Sequence, residues 1–163
     1  MNRSKIEQKL ADLGLKLPFP TPPVAAYVPA KRAGSLIFVS GQLPIEAGTL
    51  THRGTVPGGI DAATATECAK TCALNAIAAA LGTIGPEDEL LGVVRIGCWV
   101  ASDPGFTDQP AIANGASELL QAVFGDAGRH ARAAVGSVAL PLGTPVEIEV
   151  LFEAGSASGE RSS

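Results

Sequence analysis

The sequence predicts an α+β domain in which an antiparallel-dominated sheet carries two long helices on one face. The first observation is the order of segments after the N-terminal stretch, β-β-α-β-α-β-β, whose two halves each combine a helix with antiparallel strands. The second is the composition: 46% of the 163 residues are hydrophobic but only 4% are aromatic, so small side chains fill the core. The length is that of one domain.

The N-terminal segment predicts a short amphipathic helix. Ser4 and Glu7 have the spacing of a capping box, and Gly14 followed by a proline-rich stretch ends the helix. One helical face carries Ile6, Leu10 and Leu13. We therefore expect residues 1–24 to form a helix and a linker that precede an α+β domain over residues 25–154.

The remaining elements follow from periodicity and turn residues. Extended runs predict strands at residues 25–31, 36–40, 90–101, 133–139 and 146–152, the first two forming a hairpin. Helical spacing predicts helices at residues 60–81 and 109–124, each ended by a glycine. Residues 44–59, with four Gly and two Pro, predict a loop with one short edge strand near Thr55. The Gly/Ser-rich tail, residues 155–163, is expected to be disordered.

Charge and cysteine usage restrict the function classes. The net charge is −4 and the basic residues are scattered, which argues against nucleic acid as a partner. A signal-peptide pattern and an apolar run of roughly 18 residues are both lacking, so we expect a cytoplasmic protein without a membrane span. Cys68 and Cys72 share a helix face, but neither histidine is nearby in sequence; we expect buried thiols and no metal site.

Four blocks of sequence occur in the order, and near the spacing, of a known family. They are Tyr27, Ala30, Ala33-Gly34, Leu36 and Phe38-Val39-Ser40-Gly41-Gln42-Leu43-Pro44; Asn114; Ala131-Arg132, Val135 and Ala139-Leu140-Pro141; and Val146-Glu147-Ile148-Glu149. Together they resemble the reactive intermediate deaminase (Rid, or YjgF-like) family. The resemblance spans residues 25–153.

The resemblance implies a fold, an assembly and an activity. The fold is chorismate-mutase-like, with a mixed sheet, and the assembly is a homotrimer with three ligand clefts between subunits. Such proteins hydrolyse enamines and imines, for example 2-aminoacrylate, to 2-keto acids and ammonia without a cofactor. The N-terminal helix and the Gly128-Arg129-His130-Ala131-Arg132 segment resemble a longer subgroup labelled endoribonuclease L-PSP, which leaves the exact substrate open.

Arg132 and Glu147 are the residues to which the resemblance assigns the chemistry. A guanidinium offers a planar fork for a substrate carboxylate, although an arginine at a strand start is also a common solvated surface charge. Glu147 shares a strand face with Glu149 and Leu151, and a partly buried carboxylate can orient or deprotonate water. The alternative is that both glutamates are edge-strand charges that discourage aggregation.

The resemblance adds supporting residues, each with a structural alternative. Tyr27 can contact the substrate or only pack, and Asn114 can orient the arginine or only be solvated. By resemblance, Ser40 is a substrate-binding position and Gly41 a catalytic one. Glycine lets a ligand approach the backbone closely, but a glycine at a strand end can also serve only a turn. His130 is expected to border the cleft without transferring a proton, and His52 to be solvated in a loop.

Two further functions remain open at the level of sequence. Ala133 and Ala134 replace the Ser and Cys often found after the family's arginine, which keeps open a module that binds a small carboxylate without turnover. The family label also names an endoribonuclease. The acidic charge and the lack of an aromatic and basic face argue against RNA.

Overall fold

Seven strands and three helices are present in the computed structural model, which describes residues 1–19 and 26–156. The strands are β1 (Ala30–Ala33), β2 (Leu36–Gln42), β3 (Ile45–Glu46), β4 (Thr49–Leu50), β5 (Asp88–Ala101), β6 (Ala131–Ser137) and β7 (Val146–Ser156). The helices are α1 (Arg3–Asp12), α2 (Ala62–Leu81) and α3 (Gln109–Phe124), and two short 3-10 turns lie at Gly125–Gly128 and Pro141–Gly143.

The main sheet has the strand order β1-β2-β7-β5-β6, and β3 and β4 form a separate hairpin. Strands β5 and β6 are parallel, whereas the other three pairings are antiparallel. Helices α2 and α3 pack against each other and against this sheet. The predicted α+β fold, a mixed but mainly antiparallel sheet with both long helices on one face, is confirmed.

Small residues allow the two long helices to approach closely. A Cβ added at Gly115 of α3 would lie 2.1 Å from the carbonyl oxygen of Thr66 in α2. Below the helices, alternate residues of the central strands are buried: Ile37 and Val39 in β2, Ile96, Cys98 and Val100 in β5, and Val146, Ile148, Val150 and Phe152 in β7. All three cysteines are free and buried, as expected from their type. The opposite face of the sheet is left uncovered by the helices.

Helix α1 forms as predicted, but its first turn differs from the predicted capping box. Asn2, not Ser4, is the N-cap, and its side chain accepts a hydrogen bond from the Lys5 amide at 3.0 Å. Gly14 ends the helix with a φ of 72°, a left-handed value that glycine adopts without steric cost. Ile6 and Leu10 are fully buried in the same core as the sheet and long helices. Helix α1 is thus packed on its own chain.

The loop and several strand boundaries depart from the prediction. Residues 44–59 contain the β3–β4 hairpin, and instead of an edge strand near Thr55 there is one isolated bridge between Val56 and Ser102. Strand β1 begins at Ala30, late in the run of residues 25–31 predicted for it. Strand β6 begins at residue 131, two residues earlier than expected. Strand β7 extends through Ser156, so the expected disordered tail loses its first two residues.

The predicted division between linker and domain falls on residues 20–25, and the rest of the tail on residues 157–163. Both lie outside the described residues, so the division stays a prediction. Among the helices that the structure describes, none has the length and apolar character needed to cross a membrane.

Candidate functional site

Arg132 lies within β6, not before it, and the strand register determines where its side chain points. It is paired in parallel register with Ile96, which is fully buried under the helices. Neighbouring residues in register project from the same face of a sheet. The Arg132 side chain therefore extends along the helix layer, where its Nη1 donates to Asn114 Oδ1 at 2.8 Å and to Ser117 Oγ at 3.1 Å.

A second pair of contacts continues from Ser117 to His130. The distance from Ser117 Oγ to His130 Nε2 is 3.0 Å, and that from His130 Nδ1 to the carbonyl oxygen of Gly128 is 2.6 Å. Ser117 is 7% exposed, on the buried side of α3. These contacts connect Arg132 to the turn that leads into its own strand.

Glu147 lies directly over Gly41. A Cβ added to Gly41 would lie 1.8 Å from Glu147 Oε1, so only glycine leaves room for this carboxylate. The local cause is a β-bulge: the pairing of β2 with β7 shifts between Val39 and Gln42, which places two residues of β2 opposite one residue of β7. The bulge brings the Gly41 backbone beneath the carboxylate.

The surroundings of Glu147 disfavour its charged form. Burial raises the pKa of the Glu147 carboxyl, and the neighbouring Glu149 carboxylate raises it further. Glu147 makes no hydrogen bond or ion pair with any residue in the described ranges, whereas Glu149 pairs with Arg95 at 3.5 Å. Both glutamates lie on the same face of β7, as predicted, and this face is the open side of the sheet. Because β7 is a central strand between β2 and β5, the edge-strand interpretation is wrong.

Tyr27 and Ser40 lie on the same open side. Ser40 Oγ donates to the carbonyl oxygen of Val28 at 2.8 Å, which fixes the segment that carries Tyr27 to β2. Tyr27 is 47% exposed and borders an open depression of about 580 Å³. Ser40, Phe38 and Glu149 also line this depression.

The predicted residues, joined by Ser117, thus form two groups. We call Arg132, Asn114, Ser117 and His130 the cationic half-site, and Glu147, Gly41, Ser40 and Tyr27 the acidic half-site. Strands β7 and β5 separate β2 from β6, a distance of roughly 14 Å at the usual spacing of neighbouring strands. The side chains of Arg132 and Glu147 also lie on opposite faces of the sheet. One chain does not bring the two half-sites together.

Ser117 is not among the residues predicted from the sequence. A serine in the interior of a predicted helix carries no signal for function, and only its 3.1 Å contact with Arg132 identifies it. His130 lies near Arg132, as expected, but it contacts Ser117, which in turn contacts Arg132. His52 is exposed, but its Nδ1 lies 3.6 Å from Cys68 Sγ. Within residues 1–19 and 26–156, no group of three or more His, Cys, Asp or Glu side chains is placed to hold a metal ion.

Comparisons with known proteins agree with this fold. A family model described as "YjgF/chorismate_mutase-like, putative endoribonuclease" matches residues 7–153. Protein TCP17 of Trypanosoma cruzi is 38% identical over 152 residues, which are 91% of this chain and 94% of that protein.

Two crystal structures are also similar. The protein Atu1372 of Agrobacterium tumefaciens, of unknown function, is 41% identical with a TM-score of 0.83, covering 93% of this chain and 94% of that one. A "putative endoribonuclease" from Shewanella oneidensis is 27% identical, also with a TM-score of 0.83, covering 91% of this chain and 98% of that one. By its sequence match and by its fold, the chain belongs to the YjgF/chorismate mutase-like family.

Proposed function

We propose that this protein hydrolyses reactive 2-imino acids, formed from 2-enamines such as 2-aminoacrylate, to 2-keto acids and ammonia. The observation that carries the proposal is the Glu147 carboxylate, half-buried over the Gly41 backbone with a raised pKa. A carboxylate whose pKa is raised toward neutrality is a better general base at cellular pH than an ordinary surface glutamate.

Arg132 binds the carboxylate of the substrate. The guanidinium is charged at all relevant pH values and matches a carboxylate with two parallel hydrogen bonds. Asn114 holds the guanidinium by its Oδ1. Because the guanidinium is held and the substrate carboxylate binds to it, the imine carbon keeps a fixed orientation relative to the attacking water.

Glu147 accepts a proton from the water as its oxygen adds to the imine carbon. Protonated Glu147 passes that proton to the imine nitrogen, which gives a carbinolamine. The hydroxyl proton of the carbinolamine then moves through Glu147 to the amino nitrogen, and the carbon–nitrogen bond breaks to release ammonia and the keto acid. Gly41 contributes the backbone surface next to which the water lies. Ser40 and Tyr27 border the space for the substrate side chain. The reaction consumes one water and needs no cofactor.

We further propose that the active site forms between copies of the chain in a homotrimer. The cationic half-site of one copy and the acidic half-site of the next complete a cleft that a single chain lacks. The uncovered sheet face supports association, because it exposes apolar side chains, among them Phe38 at 52% and Val135 at 46%.

The names of the family and of the Shewanella structure point to a second activity, RNA cleavage. The net charge of −4 disfavours RNA binding, because phosphate neutralisation by basic residues supplies much of that affinity. RNase activity that survives purification and disappears in Arg132→Ala would favour that activity over the deaminase.

Keto-acid release tests the proposal directly. A pyridoxal-phosphate enzyme generates 2-aminoacrylate in the presence of the protein, and pyruvate formation is followed over time. We expect acceleration over buffer, and a loss of roughly 100-fold in Arg132→Lys, which keeps the charge but removes the fork. Arg129→Ala is the matched control, since Arg129 is exposed in the same segment. Binding of pyruvate without acceleration of any imine would instead indicate a carboxylate sensor.

Subunit complementation tests the shared site. Arg132→Ala and Glu147→Gln are each expected to be inactive, but co-expressed chains regain activity if the two residues come from different copies. In randomly mixed trimers about a quarter of the sites contain both intact residues, since each residue is intact in half of the copies. No recovery in verified mixed trimers would show that both residues act within one chain.

A further inference from the structure

We propose that Ser117 and His130 are positioning residues that hold the Arg132 guanidinium so that a carboxylate binds it through Nε and Nη2. This inference rests on the proposed function, in which Arg132 binds the substrate carboxylate. In this role neither the histidine nor the serine transfers a proton to or from the substrate.

The direction of each hydrogen bond follows from the partners. The Gly128 carbonyl can only accept, so the proton of His130 lies on Nδ1, 2.6 Å away. In neutral imidazole the other nitrogen, Nε2, is then an acceptor, and it accepts from the Ser117 hydroxyl at 3.0 Å. The Ser117 oxygen is left to accept from Arg132 Nη1 at 3.1 Å. Each donor hydrogen in this series of hydrogen bonds therefore has an acceptor.

This series of hydrogen bonds determines which donors of the Arg132 guanidinium remain free to bind a ligand. Nη1 carries two hydrogens, and Asn114 Oδ1 and Ser117 Oγ accept one each. Among the described residues, Nε and Nη2 of Arg132 have no hydrogen-bond partner. The side of the guanidinium formed by Nε and Nη2 is therefore the one that can bind both oxygens of a carboxylate.

Fixing the guanidinium matters because arginine is long and flexible. A free side chain must lose rotamer freedom when it binds a ligand, and holding it beforehand removes that cost from binding. The two acceptors lie on one turn of α3, at Asn114 and Ser117, three residues apart on the same face. His130, next to β6, fixes the orientation of the Ser117 hydroxyl from the other side. The guanidinium is thus held between helix and strand.

Calorimetry with pyruvate tests the role in binding. We expect the dissociation constant to rise roughly tenfold in Ser117→Ala and in His130→Ala, as for the loss of a hydrogen bond to a charged group. His130→Gln, whose amide oxygen can accept from the Ser117 hydroxyl, is expected to recover most of the affinity. The double variant Ser117→Ala/His130→Ala should be little weaker than either single one, because both act through the same contact.

Two control variants separate this role from a general loss of structure. His52→Gln changes the other histidine, and Ser137→Ala removes a hydroxyl from the same strand as Arg132, where it donates to the carbonyl oxygen of Ala139. Both should bind pyruvate as the unaltered protein does. If Ser117→Ala and His130→Ala also bind normally while Arg132→Ala does not, the positioning role is wrong and the proposed function stands.

NMR of the arginine side chains gives a readout that does not depend on a ligand. With Nη1 held, rotation of the Arg132 guanidinium about the Nε–Cζ bond should be slow, and it should become fast in Ser117→Ala. Nitrogen spectra of His130 should show the proton on Nδ1. Failure of the unaltered protein to bind pyruvate or other 2-keto acids would overturn the proposed function, whereas fast rotation in that protein would overturn the positioning role.

Discussion

The two half-sites hold groups of opposite charge in opposite kinds of surroundings. In the cationic half-site, Arg132 donates two hydrogen bonds to neutral oxygens, and the second acceptor is itself held by a histidine. In the acidic half-site, Glu147 has no hydrogen-bond partner among the described residues and lies against the backbone of Gly41, close to a second carboxylate.

The difference matches the work proposed for each group. A guanidinium stays protonated, so its surroundings need only control its geometry, and hydrogen bonds do this. A general base must exchange a proton near neutral pH. Hydrogen bonds to its charged form would lower its pKa, so burial without such bonds serves it better. One half-site is therefore expected to respond to changes in geometry, and the other to changes in desolvation.

A large loss of turnover is expected from Gly41→Ala, which changes only the acidic half-site. The new Cβ would overlap Glu147 Oε1 and displace the carboxylate, but a flexible side chain can move, so stability should change little. Turnover should fall roughly 100-fold, the lower end of a general base's contribution. Steady-state kinetics measures the effect on the acidic half-site. Calorimetry with pyruvate measures binding at the cationic half-site.

The control for this substitution is Gly85→Ala. The nearest atom to its added Cβ, Asp88 Oδ2, would be 3.7 Å away, which is an ordinary contact. It should leave turnover unchanged. If Gly41→Ala turns over imines normally, Glu147 is not the base.

The pH dependence of Glu147 sharpens the comparison next. Its folded pKa is raised, so the folded state binds more protons than the unfolded state between the ordinary glutamate pKa and the raised value. Stability from this group is therefore highest below the ordinary pKa and falls as pH rises through the raised one. Glu147→Gln should be inactive yet more stable than the unaltered protein at neutral pH, with no such gain in acid, as measured by urea unfolding at several pH values.

Glu149→Gln tests the same shift through activity. Removing the neighbouring carboxylate should lower the pKa of Glu147 and move the acid limb of the kcat/KM profile to lower pH. Glu153→Gln, an exposed change on the same strand, is the control. An acid limb that stays in place in Glu149→Gln would assign it to another group.

The smallest effect is expected from Gly115→Ala, which acts on the cationic half-site through helix packing. The new methyl would meet the Thr66 backbone, and such overpacking costs about 1–3 kcal/mol. A displaced α3 would carry Asn114 and Ser117 away from Arg132, so pyruvate affinity should fall severalfold. Thermal unfolding and calorimetry check both effects. A shift in the acid limb of the pH profile would contradict the independence of the two half-sites.

Local signals in the sequence predicted most of the fold. Helix α3 has the predicted bounds, and α2 differs by only two residues at its start, because glycine stops and helical periodicity are local. The N-cap of α1 was misplaced because Asn2 and Ser4 are both good caps and only the backbone geometry chooses between them. The β3–β4 hairpin was missed because its two-residue strands have no periodicity to detect.

The sequence by itself determined the family, the mixed sheet under two helices, and the identities of Arg132, Glu147, Gly41 and Asn114 as candidates. Only the tertiary structure decided their arrangement. Strand register turned the Arg132 side chain toward α3, a β-bulge placed Gly41 under Glu147, and helix packing brought Ser117 to Arg132. Register, bulges and packing depend on residues far apart in the chain, so no local pattern encodes which side chains meet.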